Sequence, residues 1–114
     1  MSDYIYFTAL SGLTSDVPPD SILSRTLYDT DDTKAILFDF ARGQELSEHT
    51  AALPAILYFL SGEATLTLDG EEKDARAGTW VHMPPHLSHK IVAQTPVTML
   101  LLLIKKQEAD EFEE

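Results

Sequence analysis

The sequence predicts an all-β domain folded as a jelly roll or barrel. Short apolar stretches of strand length recur along the 114 residues, and turn-forming pairs such as Ser61-Gly62, Asp69-Gly70 and Pro84-Pro85 separate them. No stretch of ten residues places its apolar side chains at helical spacing. Many short strands with turn signals between them are typical of barrels and jelly rolls. The length suits a single domain with one core.

Turn residues set the ends of the first three predicted strands. Residues 21–29 form a strand that ends at the Asp-rich stretch 29–32, because aspartate side chains cap their own backbone in turns. Residues 34–42 are apolar on both alternating faces, which predicts burial of both. A third strand covers 44–51, and Pro54 then breaks the pattern.

A hairpin is predicted in the middle of the chain. A strand at 55–60 precedes a strand at 63–68, in which apolar and polar residues alternate. Asp69-Gly70 is a dipeptide that type I′ turns favour, so the chain should turn back there into a short polar strand at 71–76.

A proline corner organises the residues that follow the hairpin. The strand at 80–83 must end at Pro84-Pro85, because proline cannot donate a hydrogen bond to a sheet ladder. The chain then restarts as a strand that carries His89. The corner therefore places His86 and His89 at or beside the mouth of whatever the strands enclose.

The segments that flank the barrel carry separate predictions. The N-terminal segment, residues 1–20, contains four large apolar residues, Tyr4 to Phe7. It should therefore pack as an arm on its own domain or on a partner subunit. The strand at 97–105 has no polar face before Lys105, which predicts a subunit interface and a homodimer. We divide the chain into an N-terminal arm at 1–20, a barrel at 21–106 and a solvated acidic tail at 107–114.

Composition excludes several classes of function. The chain has no cysteine, so disulfides, thiolate metal sites and cysteine nucleophiles are excluded. The formal net charge of −11 repels phosphate backbones and anionic lipid surfaces, so we expect neither nucleic acid nor membrane as a partner. No basic signal segment is recognisable, and we expect a cytoplasmic protein.

Two spaced motifs cover residues 43–93. The first pattern, G-x5-H-x-H-x3-E-x6-G, aligns with Gly43, His49, Ala51, Ala55 and Gly62. The second pattern, G-x5-P-x-G-x2-H-x3-N, aligns with Gly78, Pro84, His86, His89 and Ala93. In spacing and turn residues the sequence resembles the cupin superfamily, and more narrowly its small single-domain members of unassigned function. This resemblance implies a jelly-roll barrel.

The resemblance also implies a divalent metal site. Cupins bind the metal through two histidines and a glutamate of the first motif and a histidine of the second. Here His49 and His89 stand at ligand positions, whereas Ala51 and Ala55 replace the other two ligands. A zinc, nickel, iron or manganese ion would keep two protein ligands, fewer than ordinary sites provide. We therefore expect no tightly bound metal cofactor.

Alternation along the strands predicts which side chains line the barrel near these histidines. Leu57 and Phe59 should share a face with Ala55, and Val81 and Met83 should lie beside His89. Trp80 and His82 then point outward, where Trp80 favours a contact between subunits.

Three further polar residues are candidates for the site. His86 is predicted at the corner, where it either supplies a third nitrogen to the site or stays exposed in its turn. Glu45 should lie on the face of His49, but about 13 Å along the strand. Asp39 lies in an apolar strand, where it is expected either to be partly buried, or to occupy an edge position or pair with Arg42.

Three functions follow from these residues. The leading prediction is a cupin that binds a small organic molecule in a largely apolar pocket anchored by histidines, without robust catalysis. The alternative is a metal-dependent cupin enzyme of the oxygenase or isomerase type, which the resemblance implies. The third is a dimerisation module whose barrel is filled by its own side chains.

Overall fold

The structure, a computed structural model, describes residues 3–13 and 17–105. Within these ranges the chain forms nine strands and no helix. The described residues therefore contain no helix long and apolar enough to cross a membrane. The strands are β1 (Ile22–Asp29), β2 (Thr33–Phe40), β3 (Glu45–His49), β4 (Ala55–Ser61), β5 (Ala64–Leu68), β6 (Glu71–Ala75), β7 (Trp80–Met83), β8 (His89–Ala93) and β9 (Val97–Ile104).

The strands form two antiparallel sheets. One sheet has the order β1-β2-β9-β4-β7, and the other has the order β3-β8-β5-β6. The predicted all-β jelly roll is confirmed, and most strand ends differ from the prediction by one or two residues. The predicted acidic tail at 107–114 lies outside the described residues.

The core lies between the two sheets, as the alternation of side chains requires. The five-stranded sheet contributes Phe40, Leu57 and Phe59, and the four-stranded sheet contributes Leu66 and Ile91. All five are at most 2% exposed. Burial of this apolar surface is the main force that holds the sheets together.

Gly62 joins the sheets at one end of the barrel, which we call the closed end. The amide of Gln94 donates to the carbonyl of Glu63 at 2.8 Å, and the amide of Glu63 donates to Thr95 Oγ1 at 2.9 Å. Gly62 has a φ of +88°, and a Cβ built on it would lie 2.1 Å from the carbonyl oxygen of Pro96. Only glycine allows the two inter-sheet connections to approach this closely.

The other face of the five-stranded sheet is partly covered by residues 3–13. The guanidinium of Arg25 on β1 lies 5.7 Å from the centre of the Phe7 ring, and it donates to the carbonyl of Leu13. The arm therefore packs on its own domain, which is one of the two predicted arrangements. Leu37 of β2 is fully buried on this face, so both faces of β2 are buried as predicted.

Asp39 is buried, which agrees with one of its sequence-based expectations and not with the other two. It lies on the interior strand β2, is only 8% exposed, and accepts a hydrogen bond from Thr98 Oγ1 of β9. Among the ion pairs of the described residues, none joins Asp39 to Arg42. The expected burial is therefore found, whereas the edge position and the Arg42 pair were wrong, because β9 inserts beside β2 and presents a hydroxyl there.

Candidate functional site

His49 and His89 form a cross-strand pair. His49 ends β3 and His89 begins β8, and the antiparallel register places them directly opposite each other. Their ring centres are 4.2 Å apart, with the ring planes inclined at 60°. His89 is buried at 8% exposure, whereas His49 is exposed. The pair lies at the end of the barrel opposite Gly62, which we call the mouth.

A break in the register of β3 sets the orientation of His49. The pairing with β8 shifts between Leu46 and His49, which marks a bulge or irregularity. As a result, Leu46 and His49 both line the barrel interior although they are three residues apart. The prediction that Glu45 shares a face with His49 was wrong, because strict alternation fails across a bulge.

Each imidazole is held by a backbone carbonyl. Nδ1 of His49 lies 2.8 Å from the carbonyl oxygen of Ser47, and Nδ1 of His89 lies 2.9 Å from that of Leu87. A carbonyl oxygen only accepts hydrogen bonds, so each Nδ1 carries the proton and donates. In the neutral ring this leaves Nε2 unprotonated, as a hydrogen-bond acceptor or a metal ligand.

Two apolar cavities meet at this pair. The mouth cavity has a volume of about 150 Å³ and the inner cavity about 210 Å³. His49, Met83, His89 and Leu101 line both. The mouth cavity is completed by Ala51, Leu53, Ala55, Pro84, Leu87 and Leu103. The inner cavity is completed by Phe38, Leu46, Leu57, Ile91 and Met99.

The structure brings together some of the predicted site residues and not others. His49, His89, Leu57 and Met83 line the cavities. Phe59 is fully buried in the core nearer the closed end, and neither it nor Val81 lines the mouth cavity or the inner cavity. Leu101 of β9, which sequence analysis did not select, lines both cavities because β9 inserts between β2 and β4.

His86 stays in its turn. It is exposed, has a φ of +68°, and does not line either cavity. Its amide donates to the carbonyl of Ala51 at 2.7 Å, which ties the proline corner to the segment after β3. The left-handed backbone explains why the second motif has glycine at this position.

Comparison with known proteins identifies the family. Residues 36–105, more than half of the chain, match the family profile described as the cupin domain. The chain belongs to the cupin family. Comparison with curated protein sequences gives no match.

Three solved structures resemble this cupin over most of its length. A conserved protein of unknown function from Streptococcus pyogenes is 32% identical, with a TM-score of 0.71 and coverage of 78% of each chain. A cupin superfamily protein from Desulfitobacterium hafniense is 26% identical, with a TM-score of 0.75 and coverage of 80% of this chain and 84% of that one. KdgF from Halomonas sp. is 26% identical, with a TM-score of 0.73 and coverage of 83% and 87%.

The side chains of this cupin do not fit the metal that its family implies. Ala51 and Ala55 line the mouth cavity beside His49 and His89, so their side chains face the place where two further ligands would be needed. Neither cavity wall contains a carboxylate. Within residues 3–13 and 17–105, no group of three His, Cys, Asp or Glu side chains could hold an ion. Two neutral nitrogens make a weaker site than three or four ligands that include an anion.

Asp29 is the group with a shifted pKa among the described residues, and it lies outside the walls of both cavities. Lys105 donates to the carboxylate of Asp29, and this hydrogen bond holds the pKa of Asp29 below its usual range. Lys105 also donates to the carbonyl of Thr30, so it fastens the β1–β2 turn to the end of β9. We assign this pair a structural role.

Proposed function

We propose that this cupin binds a small organic molecule in the two connected cavities, with His49 and His89 as its polar anchors. One observation carries the proposal. Nε2 of the buried His89 has no hydrogen-bond partner among the described residues. A buried acceptor without a partner costs about 1–3 kcal/mol, so a ligand or water that donates to it is favoured.

The size and chemistry of the cavities support a small, mostly apolar ligand. A dry cavity of about 150 Å³ lined by aliphatic side chains is large enough for benzene. The inner and mouth cavities have about 210 and 150 Å³, and their walls are aliphatic or aromatic apart from the two histidines. An apolar concavity with a few polar anchors is typical of small-molecule sites.

The metal-dependent enzyme is the second candidate, and one observation favours it. Metal-ligating histidines usually donate their other ring N–H to a carbonyl or carboxylate, as His49 and His89 do here. The donor set is the argument against it. The third candidate, a barrel filled by its own side chains, is disfavoured by the two cavities. The cytoplasmic location stays a prediction.

Binding in the cavities can be measured through Met83, which lines both. Phenol or toluene should shift the ¹³C-methyl NMR signal of Met83 in a saturable way. Ala51→Leu fills part of the mouth cavity. We expect it to weaken binding about tenfold or more, because a difference of one methylene group in an apolar pocket already changes affinity by about that factor. Ala52→Leu is the matched control, because Ala52 is exposed and lies outside both cavity walls. If neither compound shifts Met83, the proposed function is wrong.

We also propose that two copies of the chain pair through the outer face of the five-stranded sheet. Leu100, Tyr58 and Trp80 form one row across β9, β4 and β7 in register, and the row continues on β2 into Leu37, which is already fully buried. Tyr58 is 38% exposed and Trp80 is 59% exposed. The row itself carries no charged side chain, which reduces like-charge contact between two copies that each carry −11. Aromatic residues are enriched in such interface centres.

The arm beside this row adds a second apolar surface. Ile5 and Phe7 line an open groove of about 410 Å³ together with Leu100, Leu102 and Asp3, while Tyr4 and Tyr6 are more than 70% exposed. Large apolar side chains that lie exposed beside one another are typical of a protein–protein contact. A second copy is the occupant we propose for it.

The dimer predicts the mass of the particle in solution. Light scattering at micromolar concentration should give twice the 12.7 kDa chain mass. Tyr58→Glu places a buried charge on each side of the interface and should yield the monomer. Thr67→Glu, on β5 of the other sheet, adds the same charge and should leave the dimer intact. A wild-type monomer would contradict the proposal.

A further inference from the structure

The two histidines are fixed as hydrogen-bond acceptors toward the cavities. Both Nδ1 atoms donate to carbonyls of their own strand segments, at 2.8 Å for His49 and 2.9 Å for His89. In the neutral rings both Nε2 atoms therefore carry lone pairs. Among the described residues no donor pairs with either Nε2. The site thus presents two acceptors and no donor of its own.

The cavity walls contain no fixed positive or negative charge. Among the described residues that line the two cavities, the histidines are the only ionisable ones. A carboxylate that entered would lose its hydration without a cation to pair with, and its oxygens would face lone pairs of the imidazoles. An ether, ketone or hydrocarbon of the same size would leave the buried Nε2 of His89 unpaired.

We infer that the ligand is a neutral hydroxyl compound of roughly benzene size, a phenol or a compact alcohol, whose O–H donates to Nε2 of the buried His89; a second O–H, in a compound that has one, donates to Nε2 of His49. The inference rests on the proposed function and adds the chemical class of the ligand. The ring centres are 4.2 Å apart, so one small molecule can reach both acceptors while its apolar part contacts Met83 and Leu101. The class excludes carboxylates and molecules without a donor.

Phenol and toluene test the proposed chemical class of the ligand, because phenol carries an OH group where toluene carries a CH₃ group. Dissociation constants are measured from the Met83 methyl signal for wild type and for the His49→Phe/His89→Phe variant, which keeps two rings but removes both acceptors. We expect the ratio of the toluene Kd to the phenol Kd to fall about tenfold or more in the variant, since a net hydrogen bond of about 1.4 kcal/mol corresponds to a factor of ten. His82→Phe is the matched control, because His82 is exposed on β7 and should leave the ratio unchanged.

Benzoate tests the neutral character of the ligand. It should produce no saturable shift of Met83 at concentrations that saturate the site with phenol. If the double variant fails to fold, His89→Phe alone replaces it, because it removes the buried acceptor and keeps a ring at that position; the ratio should then also fall about tenfold, since phenol has a single O–H to donate.

The outcomes separate the inference from the proposed function. A ratio that is the same in wild type and variant would overturn the inference and leave small-molecule binding in place. Benzoate binding as tight as phenol binding would also overturn it. If neither phenol nor toluene binds, the proposed function fails, and the inference fails with it.

Discussion

Gly62→Ala is expected to lower the free energy of unfolding by about 3 kcal/mol or more. A left-handed backbone costs an L-residue about 1–2 kcal/mol, and an overpacked contact costs about 1–3 kcal/mol more. Both apply here, because Gly62 has a φ of +88° and the new Cβ would lie 2.1 Å from the Pro96 carbonyl oxygen and 2.8 Å from Val97 Cα. These are backbone atoms, so the strand connection itself must move. Urea unfolding followed by circular dichroism measures the change.

Gly70→Ala separates the two contributions. Gly70 has a similar φ of +84° in the β5–β6 turn, but a Cβ there would meet no atom within 4 Å. Its substitution should cost about 1 kcal/mol, from backbone conformation alone. Equal effects at Gly62 and Gly70 would show that the contact with Pro96 does not constrain the closed end.

The double variant Ala51→His/Ala55→Glu should convert the mouth cavity into a metal site. Wild-type protein purified without added metal should carry well under one equivalent of zinc, nickel, iron or manganese. The variant should retain about one equivalent of zinc after dialysis, because three nitrogens and a carboxylate complete a four-ligand shell. The structure supports the design, since both alanines line the mouth cavity beside His49 and His89. Elemental analysis of untagged protein measures the content.

Two comparisons make the metal result specific. Adding His49→Ala to the double variant should return the zinc content to the wild-type level. Ala52→His is the control for surface histidines, because Ala52 is exposed and outside the cavity wall. If the glutamate at position 55 prevents folding, Ala51→His alone should still raise zinc retention, since Ala51 is only half-buried. Near-stoichiometric metal in the wild type that disappears in His49→Ala would contradict the prediction and would move the metal-dependent enzyme into first place.

Strand positions were predictable from the sequence because their turns have distinct chemistry. Asp69 and Gly70 both have positive φ, as the type I′ hairpin requires. Pro84-Pro85 ends β7 at Met83, where the proline rule placed the break. These signals are local, so they do not depend on the rest of the fold.

The site was predictable only in part, because its geometry depends on contacts that alternation cannot report. Leu57 was assigned correctly to the barrel interior since β4 alternates without interruption. Leu46 was not selected because the irregularity in β3 turns it to the same side as His49. Leu101 was missed because the position of β9 between β2 and β4 is set by pairing across the whole chain.

The hydrogen bonds of the two histidines could not have been predicted either. The carbonyl of Leu87 reaches Nδ1 of His89 because the chain turns after the proline corner. No residue type encodes this contact, since every residue carries a carbonyl. This contact leaves Nε2 of His89 free as the proposed anchor for a ligand, and only the three-dimensional structure reveals it.

The central position of β9 also has consequences for how the domain assembles. β9 pairs with β2 on one side and with β4 on the other, and it follows both in the chain. During synthesis on the ribosome, β2 and β4 therefore emerge before β9, and the edge of each strand that pairs with β9 stays unpaired until β9 has been synthesised. Closing such long loops before the contacts form slows folding to about milliseconds or seconds. Before β9 pairs, the nascent chain exposes two apolar strand edges, which makes it prone to aggregation. Binding of a chaperone would protect the chain at this stage.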